Sequence, residues 1–117
     1  MRSDTGIIMA ATASWHEMTV AQMLADDHRP HVSVPRQIAM KLCKELTVLS
    51  YPVLARLFNR DDHTTIMHGV RRMTTLERSG DPRVAFALAS LRLVCRRKLE
   101  ERRAALTLQL MQEPAHV

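Results

Sequence analysis

Apolar side chains recur at steps of three and four along most of this chain, which is the period of helices that bury one face. The pattern is faint at first. Ile7 to about His16 reads as a weakly marked helix, and Thr19 with Gln22 then forms a capping box for a short helix that ends near Ala25. Asp26 to Val34 shows no period and has prolines at 30 and 35, so it reads as a loop. Pro35 suits the first position of a third helix, whose Ile38, Leu42, Leu46 and Leu49 carry the stripe to about Leu49. Ser50 caps a short fourth helix that tolerates Pro52 in its first turn and points Val53, Leu54, Leu57 and Phe58 inward. Asn59 to Asp61 is a turn. Asp62 caps a fifth helix that buries Ile66, Val70 and Met73 and leaves Thr64, Thr65, His68, Arg71 and Arg72 outside. Ser79-Gly80-Asp81-Pro82 stops it, and Asp81 caps a sixth helix with a stripe of Val84, Leu88, Leu91 and Cys95, running past Arg103 to about Gln112.

Composition agrees with this pattern. With three Gly, 3% aromatics and many Leu, Ala and Met among 117 residues, helix formers dominate and strand formers are scarce. The expected fold is all-α with about six helices, in one domain large enough for a single core. The expected division is a flexible lead at 1–6, a helical domain at 7–103, and a helix extension and tail at 104–117. Cys43 and Cys95 each fall on an apolar stripe, which fits buried free thiols better than a disulfide. No apolar run reaches the roughly 20 residues of a membrane span, and Gly6 to Met18 lacks the basic start of a signal peptide. A cytoplasmic, nucleoid-associated protein with no membrane partner is expected.

Charge narrows the function. The net charge is +5, yet the first 34 residues set only Arg2 and Arg29 against Asp4, Glu17, Asp26 and Asp27. The positive excess lies downstream and is mostly Arg, the side chain best shaped for phosphate and guanine. Arg96-Arg97-Lys98 reads as solvated helix surface, because Glu100 and Glu101 lie four residues beyond Arg96 and Arg97. Arg36, Lys41, Lys44, Arg56, Arg60, Arg71 and Arg72 instead flank the polar start of the fifth helix. Competing chemistry is poorly supported. His63 and His68 fall on different helix faces, and His28 and His31 have no further ligand nearby. Asp61 and Asp62 serve a helix start better than acid–base work. The Met residues read as core filler, with Trp15 anchoring the first helix. No cofactor, metal or catalytic residue is expected, so an enzyme is the least favoured class.

Two helices joined by a tight turn, the second opening on short polar groups flanked by Arg, make a helix-turn-helix over about residues 50–77. Val34-Pro35-Arg36-Gln37-Ile38-Ala39-Met40, then Lys44-Glu45-Leu46-Thr47, Ser50, Pro52 and Asp62-His63-Thr64-Thr65-Ile66-Met67-His68, closely resemble the C-terminal DNA-binding domain of the bacterial replication initiator DnaA. The resemblance is dense from 34 to 73. It implies a Trp-repressor-like helix-turn-helix that binds double-stranded DNA at initiator-type nonamer boxes. It also implies base reading by Asp62, His63 and Thr64, which fits their chemistry: carboxylate to cytosine amine, imidazole to a purine acceptor, Thr methyl to thymine methyl. Phosphate contact or positioning is implied for Arg36, Gln37, Lys44 and the Ser50-Tyr51-Pro52 helix start, and Thr65, Arg60, Arg71 and Arg72 join them as neighbours of the reading turn. Met40, Leu42, Leu46, Phe58, Ile66 and Val70 are expected in the core.

Departures from the family pattern set further expectations. The family's loop before Pro-Arg-Gln is basic and puts an Arg in the minor groove, whereas this chain has Asp26-Asp27-His28-Arg29 there. His28 takes the place of that Arg, with Arg29 one residue along. The family's Gly-Gly-Arg-Asp turn is Asn59-Arg60-Asp61-Asp62 here. These extra acids repel phosphate, so weaker or altered DNA binding is expected. The sequence holds no Gly-rich loop ending in Gly-Lys-Ser/Thr. It is therefore expected to act as a stand-alone reader without ATPase activity, competing with a full-length initiator or regulating transcription. The other class to weigh is a helical interaction module with weak or lost DNA binding, in which Leu99, Leu106 and Leu110 extend an apolar seam that supports a homodimer through the C-terminal helix.

Overall fold

Six helices follow in order: α1 (Asp4–Trp15), α2 (Val20–Leu24), α3 (Pro30–Leu46), α4 (Tyr51–Leu57), α5 (His63–Arg78) and α6 (Pro82–Gln112). The computed structural model describes residues 3–113, and among these there is no strand. The helix α3 runs through the middle and packs on α1, α2, α4, α5 and α6. Its Ile38, Ala39, Met40, Leu42 and Cys43 are buried against Ile8, Met23, Leu54, Phe58, Ile66, Met73, Leu88, Leu91 and Cys95 in one continuous core. Removing a side chain as large as Phe58 from water contributes roughly 2–3 kcal/mol. Both cysteines are free and buried, and burial raises the Cys95 thiol to about 11 and Cys43 further still.

Most helix starts use the expected caps. The capping box joins Thr19 and Gln22 in both directions, at 3.0 and 2.8 Å. Asp62 caps α5 and Asp81 caps α6. Asn59 takes φ 56° in the turn after α4, a left-handed conformation that Asn tolerates better than most side chains.

Three boundaries differ from the expected ones. The helix α1 starts at Asp4, so residues 4–6 are helical and not a flexible lead; Ser3 caps it by accepting from the Gly6 amide, and Asp4 pairs with Arg102 at 2.9 Å. The helix α3 starts at Pro30, so 30–34 belong to a helix and not to a loop. Pro30 supplies a preset first residue, and the Arg29 carbonyl accepts from both Val32 and Ser33. Pro35 lies inside this helix, where it removes one amide donor. At its other end α3 stops at Leu46, because Thr47 turns its hydroxyl onto the Cys43 carbonyl at 2.7 Å and accepts from the Leu49 amide. Leu49 packs on the core from the linker, while Leu46 and Val70 are only partly buried.

The helix α6 is much longer than the body it packs on. Thirty-one residues at about 1.5 Å each span roughly 46 Å. Leu99 is buried and Leu106 half-buried, but Leu110 is exposed. The expected seam therefore continues the core stripe and opens to solvent where the globule ends. No helix among the described residues is long and apolar enough to cross a membrane.

Candidate nucleic-acid interface

The first turn of α5 stands free of the body. Asp62 Oδ1 accepts from the Thr64 amide at 2.9 Å, leaving the side chains of His63, Thr64 and Thr65 exposed. That amide holds the Asp62 carboxyl below its ordinary range. The carboxylate is thus charged at neutral pH, engaged in the cap by the Thr64 amide and drawn on by the Thr64 side chain as well. His63 Nδ1 lies 3.7 Å from it. Helix geometry turns Ile66, Gly69 and Met73 inward, which leaves the exposed first turn, His68, Arg71 and Arg72 facing outward.

Close helix packing sets the position of this turn. A Cβ on Gly69 would lie 2.7 Å from the Met40 sulfur and 3.1 Å from Gln37 Cγ, so any larger residue must push those side chains aside for α5 to approach α3 so closely. One turn further, Arg72 Nη1 donates to Gln37 Oε1 at 2.8 Å. Gln37 is thereby oriented from α5, and Arg72 keeps further donors free. A lone glycine inside a strongly amphipathic helix was the available sequence signal for this contact.

Arg36 differs from the expected surface cation. It is only 5% exposed; Nη1 donates to the carbonyls of Met23 and Ala25 and Nη2 to that of Asp27. Burial, and then the neighbouring Arg60, lower its guanidinium pKa, though not far enough to discharge an arginine. Its place is inside the fold, holding the 25–29 loop to α3. Arg60 reaches the same loop from the other side, donating to Leu24 and Ala25 at 3.3 and 3.2 Å. The Ala25 carbonyl thus receives two guanidinium groups.

Between loop and turn lies an open cleft of about 550 Å³, bordered by Asp26 and His28 on one rim and Arg60, Asp62 and Thr65 on the other, with Gln37 between. The structure therefore brings the expected base-reading turn and the expected minor-groove loop to one surface. The loop is self-occupied. Arg29 is clasped by Asp27 through its amide, Nε and Nη2, and His28 lies 3.2 Å from Asp26. Lys44, Ser50, Tyr51 and Pro52 form a separate group outside the cleft. Lys44 donates to the Leu49 carbonyl at 3.2 Å and lies 4.4 Å from the Tyr51 ring centre, with Ser50 and Pro52 exposed beside it. Among the described residues, no three His, Cys, Asp or Glu are grouped to hold a metal ion.

Comparison with known proteins adds an independent line. The family described as the bacterial dnaA protein helix-turn-helix matches residues 6–73. The chromosomal replication initiator protein DnaA of Neisseria meningitidis is 40% identical over 79 residues, 68% of this chain and 15% of that protein. The DnaA of Paraburkholderia xenovorans is 42% identical over 81 residues, 69% of this chain and 15% of its own length. That of Clavibacter sepedonicus is 41% identical over 69 residues, covering 59% and 14%. The chain spans about one seventh of the length of these relatives.

Proposed function

Because this chain belongs to the bacterial DnaA helix-turn-helix family, whose pattern covers more than half of it, we propose that it reads double-stranded DNA at initiator-type boxes in the control of replication initiation or transcription. The observation that carries this reading is the exposed Asp62–Thr65 turn, placed beside the 25–29 loop, to which Arg60 and Arg36 bond. In the complex, His63 and Thr64 meet base edges in the major groove, with the Asp62 carboxylate accepting from a base amine. Gln37, Lys44, Ser50, Tyr51, Thr65, Arg71 and Arg72 lie along the phosphates, with Pro52 shaping the start of α4. Arg60 and Arg36 act through the fold, by fixing the loop that brings His28 and Arg29 to the minor groove. The reading needs no ATP hydrolysis by these residues, and it makes the chain a competitor of a full-length initiator for a shared site. Self-association through α6 is a second part of the proposal, motivated by the apolar side chains that helix exposes.

Fluorescence anisotropy on a duplex with the family's nonamer box, against a scrambled duplex and across salt concentrations, tests the DNA reading. Preference for the box with a steep salt dependence is expected. Equal binding of both duplexes refutes the assigned base readers, and no retention at low salt refutes DNA binding altogether.

A further inference from the structure

The core-facing side of α6 is occupied, yet its opposite side is apolar at both ends. Phe86 is 65% exposed, Leu93 71%, Leu108 56% and Met111 77%. At about 100° per residue these four lie on one stripe, together with Ala89, Arg97, Glu100 and Ala104. All of these are exposed. A single exposed apolar side chain on a helix needs no explanation, but a stripe directly opposite the buried one does. Trp15 of α1 widens one end of it, its ring centre lying 5.7 Å from that of Phe86.

The stripe is complementary to itself when reversed. Laid antiparallel on a second copy about a two-fold axis between residues 98 and 99, Phe86 faces Met111, Ala89 faces Leu108, Leu93 faces Ala104 and Arg97 faces Glu100. Large side chains meet small ones at two of these levels, as interdigitated packing requires. In the same register Arg96 faces Glu101, so the centre carries ion pairs of both polarities between the copies, which selects this direction and offset over others. Within one copy, Arg96, Arg97, Glu100 and Glu101 have no ion pair within 4 Å among the described residues. The intrahelical pairing expected from their spacing is not what the structure holds. A parallel arrangement sets Arg against Arg at the centre and loses the small-to-large match.

We propose that the outer stripe of α6 is an isologous docking surface for a second copy of this chain, antiparallel and centred between Lys98 and Leu99. This gives register and residues to the homodimer reading above, on which it rests. The contact runs from Phe86 to Met111, roughly 37 Å of helix, and the C-terminal turns that overhang one globule are received by the Trp15–Phe86 end of the other. The first turn of α5 lies at the far end of that helix from α6, so both reading turns stay open in the pair.

The test uses the full chain and two charge variants. Arg96→Glu with Arg97→Glu makes the stripe centre wholly acidic; Glu100→Arg with Glu101→Arg makes it wholly basic. The mass in solution is followed by light scattering, with circular dichroism confirming that helix content is kept. The unaltered chain is expected to dimerise with rising concentration, each variant alone to remain monomeric, and an equal mixture of the two to regain the dimer. Intrahelical effects do not recover on mixing, so recovery identifies contacts between copies. Leu93→Asp supplies a second disruption independent of the charged centre and is expected to leave a monomer. The proposal is overturned by a chain that stays monomeric throughout, by dimers that persist in both charge variants, or by a mixture that fails to pair. Because mass is measured and not DNA affinity, a negative result here leaves the DNA reading to its own titration.

Discussion

Arg29 folds back on Asp27: its backbone N–H, Nε and Nη2 all donate to that one carboxylate, the closest contact being 2.6 Å. The one arginine of the proposed minor-groove loop is thus already paired, and hydrogen bonding from Arg29 keeps the Asp27 carboxyl far below the ordinary carboxylate range. Mild acid therefore does not open this clasp. Asp27→Asn is expected to release Arg29, tighten duplex binding at low salt and steepen the log–log salt slope by about 1. Anisotropy at several salt concentrations decides it; an unchanged slope means Arg29 never reaches phosphate or groove.

His63→Ala and Arg36→Ala separate reading from scaffolding. The first removes an exposed imidazole and should cost about 1–3 kcal/mol on the preferred site while leaving scrambled DNA unaffected. The second leaves the carbonyls of Met23, Ala25 and Asp27 without their shared donor, for a loss of folding stability of about 2–4 kcal/mol. Thermal unfolding beside DNA titration distinguishes them. An Arg36→Ala protein with unaltered melting temperature contradicts the buried role.

Gly69→Ala tests the close approach of α5 to α3. Helix propensity alone favours alanine by about 1 kcal/mol, whereas the added methyl must displace the Met40 sulfur and Gln37, a strain typically of about 1–3 kcal/mol. A net loss of stability is expected, with weaker DNA binding because the reading turn shifts with α5. Denaturant titration giving a more stable variant rules the contact out as a constraint.

Acid sensitivity is expected from the network in which Arg92 bridges Glu45 and Glu77, with Lys41 also on Glu45. Burial by itself raises the Glu45 carboxyl, but hydrogen bonds from Arg92 and Lys41 outweigh it and the net shift is downward. A carboxylate whose folded pKa lies below its unfolded value of about 4.3 contributes fully above that pH and loses the contribution as pH falls through the folded value. Glu45→Gln should therefore cost about 1 kcal/mol at neutral pH and almost nothing in strong acid. Parallel melting curves check it, and a gap that does not close on acidification refutes the linkage.

Caps and stripes made most of the fold legible beforehand. Thr19, Ser50, Asp62 and Asp81 mark helix starts through side-chain acceptors that have few other uses at such positions. The start of α3 was not legible, because Pro30–Val34 turns only Val32 fully inward and the segment before it is held by Arg36, a contact across 9 to 13 residues of chain that no local pattern records. The exposed, capped start of α5 could be located from Asp62-His63-Thr64-Thr65, but the character of Arg36 could not. An arginine in a basic context looks like a surface cation until the carbonyls that enclose it are seen. The outer stripe of α6 was hidden for a different reason. A helix apolar on two opposite sides has little net amphipathicity, and the deeper stripe drew the assignment.

Two arginines meeting at the Ala25 carbonyl tie the loop to α3 and to the turn. In the proposed complex the duplex has to fit this template. Sites whose groove width and twist already match the fixed offset between His28 and His63 gain over sites that must be bent or unwound, even where the contacted bases are identical. On the proposed reading, sequence outside the contacted bases becomes part of what this chain distinguishes, through the stiffness of the DNA and not through any hydrogen bond.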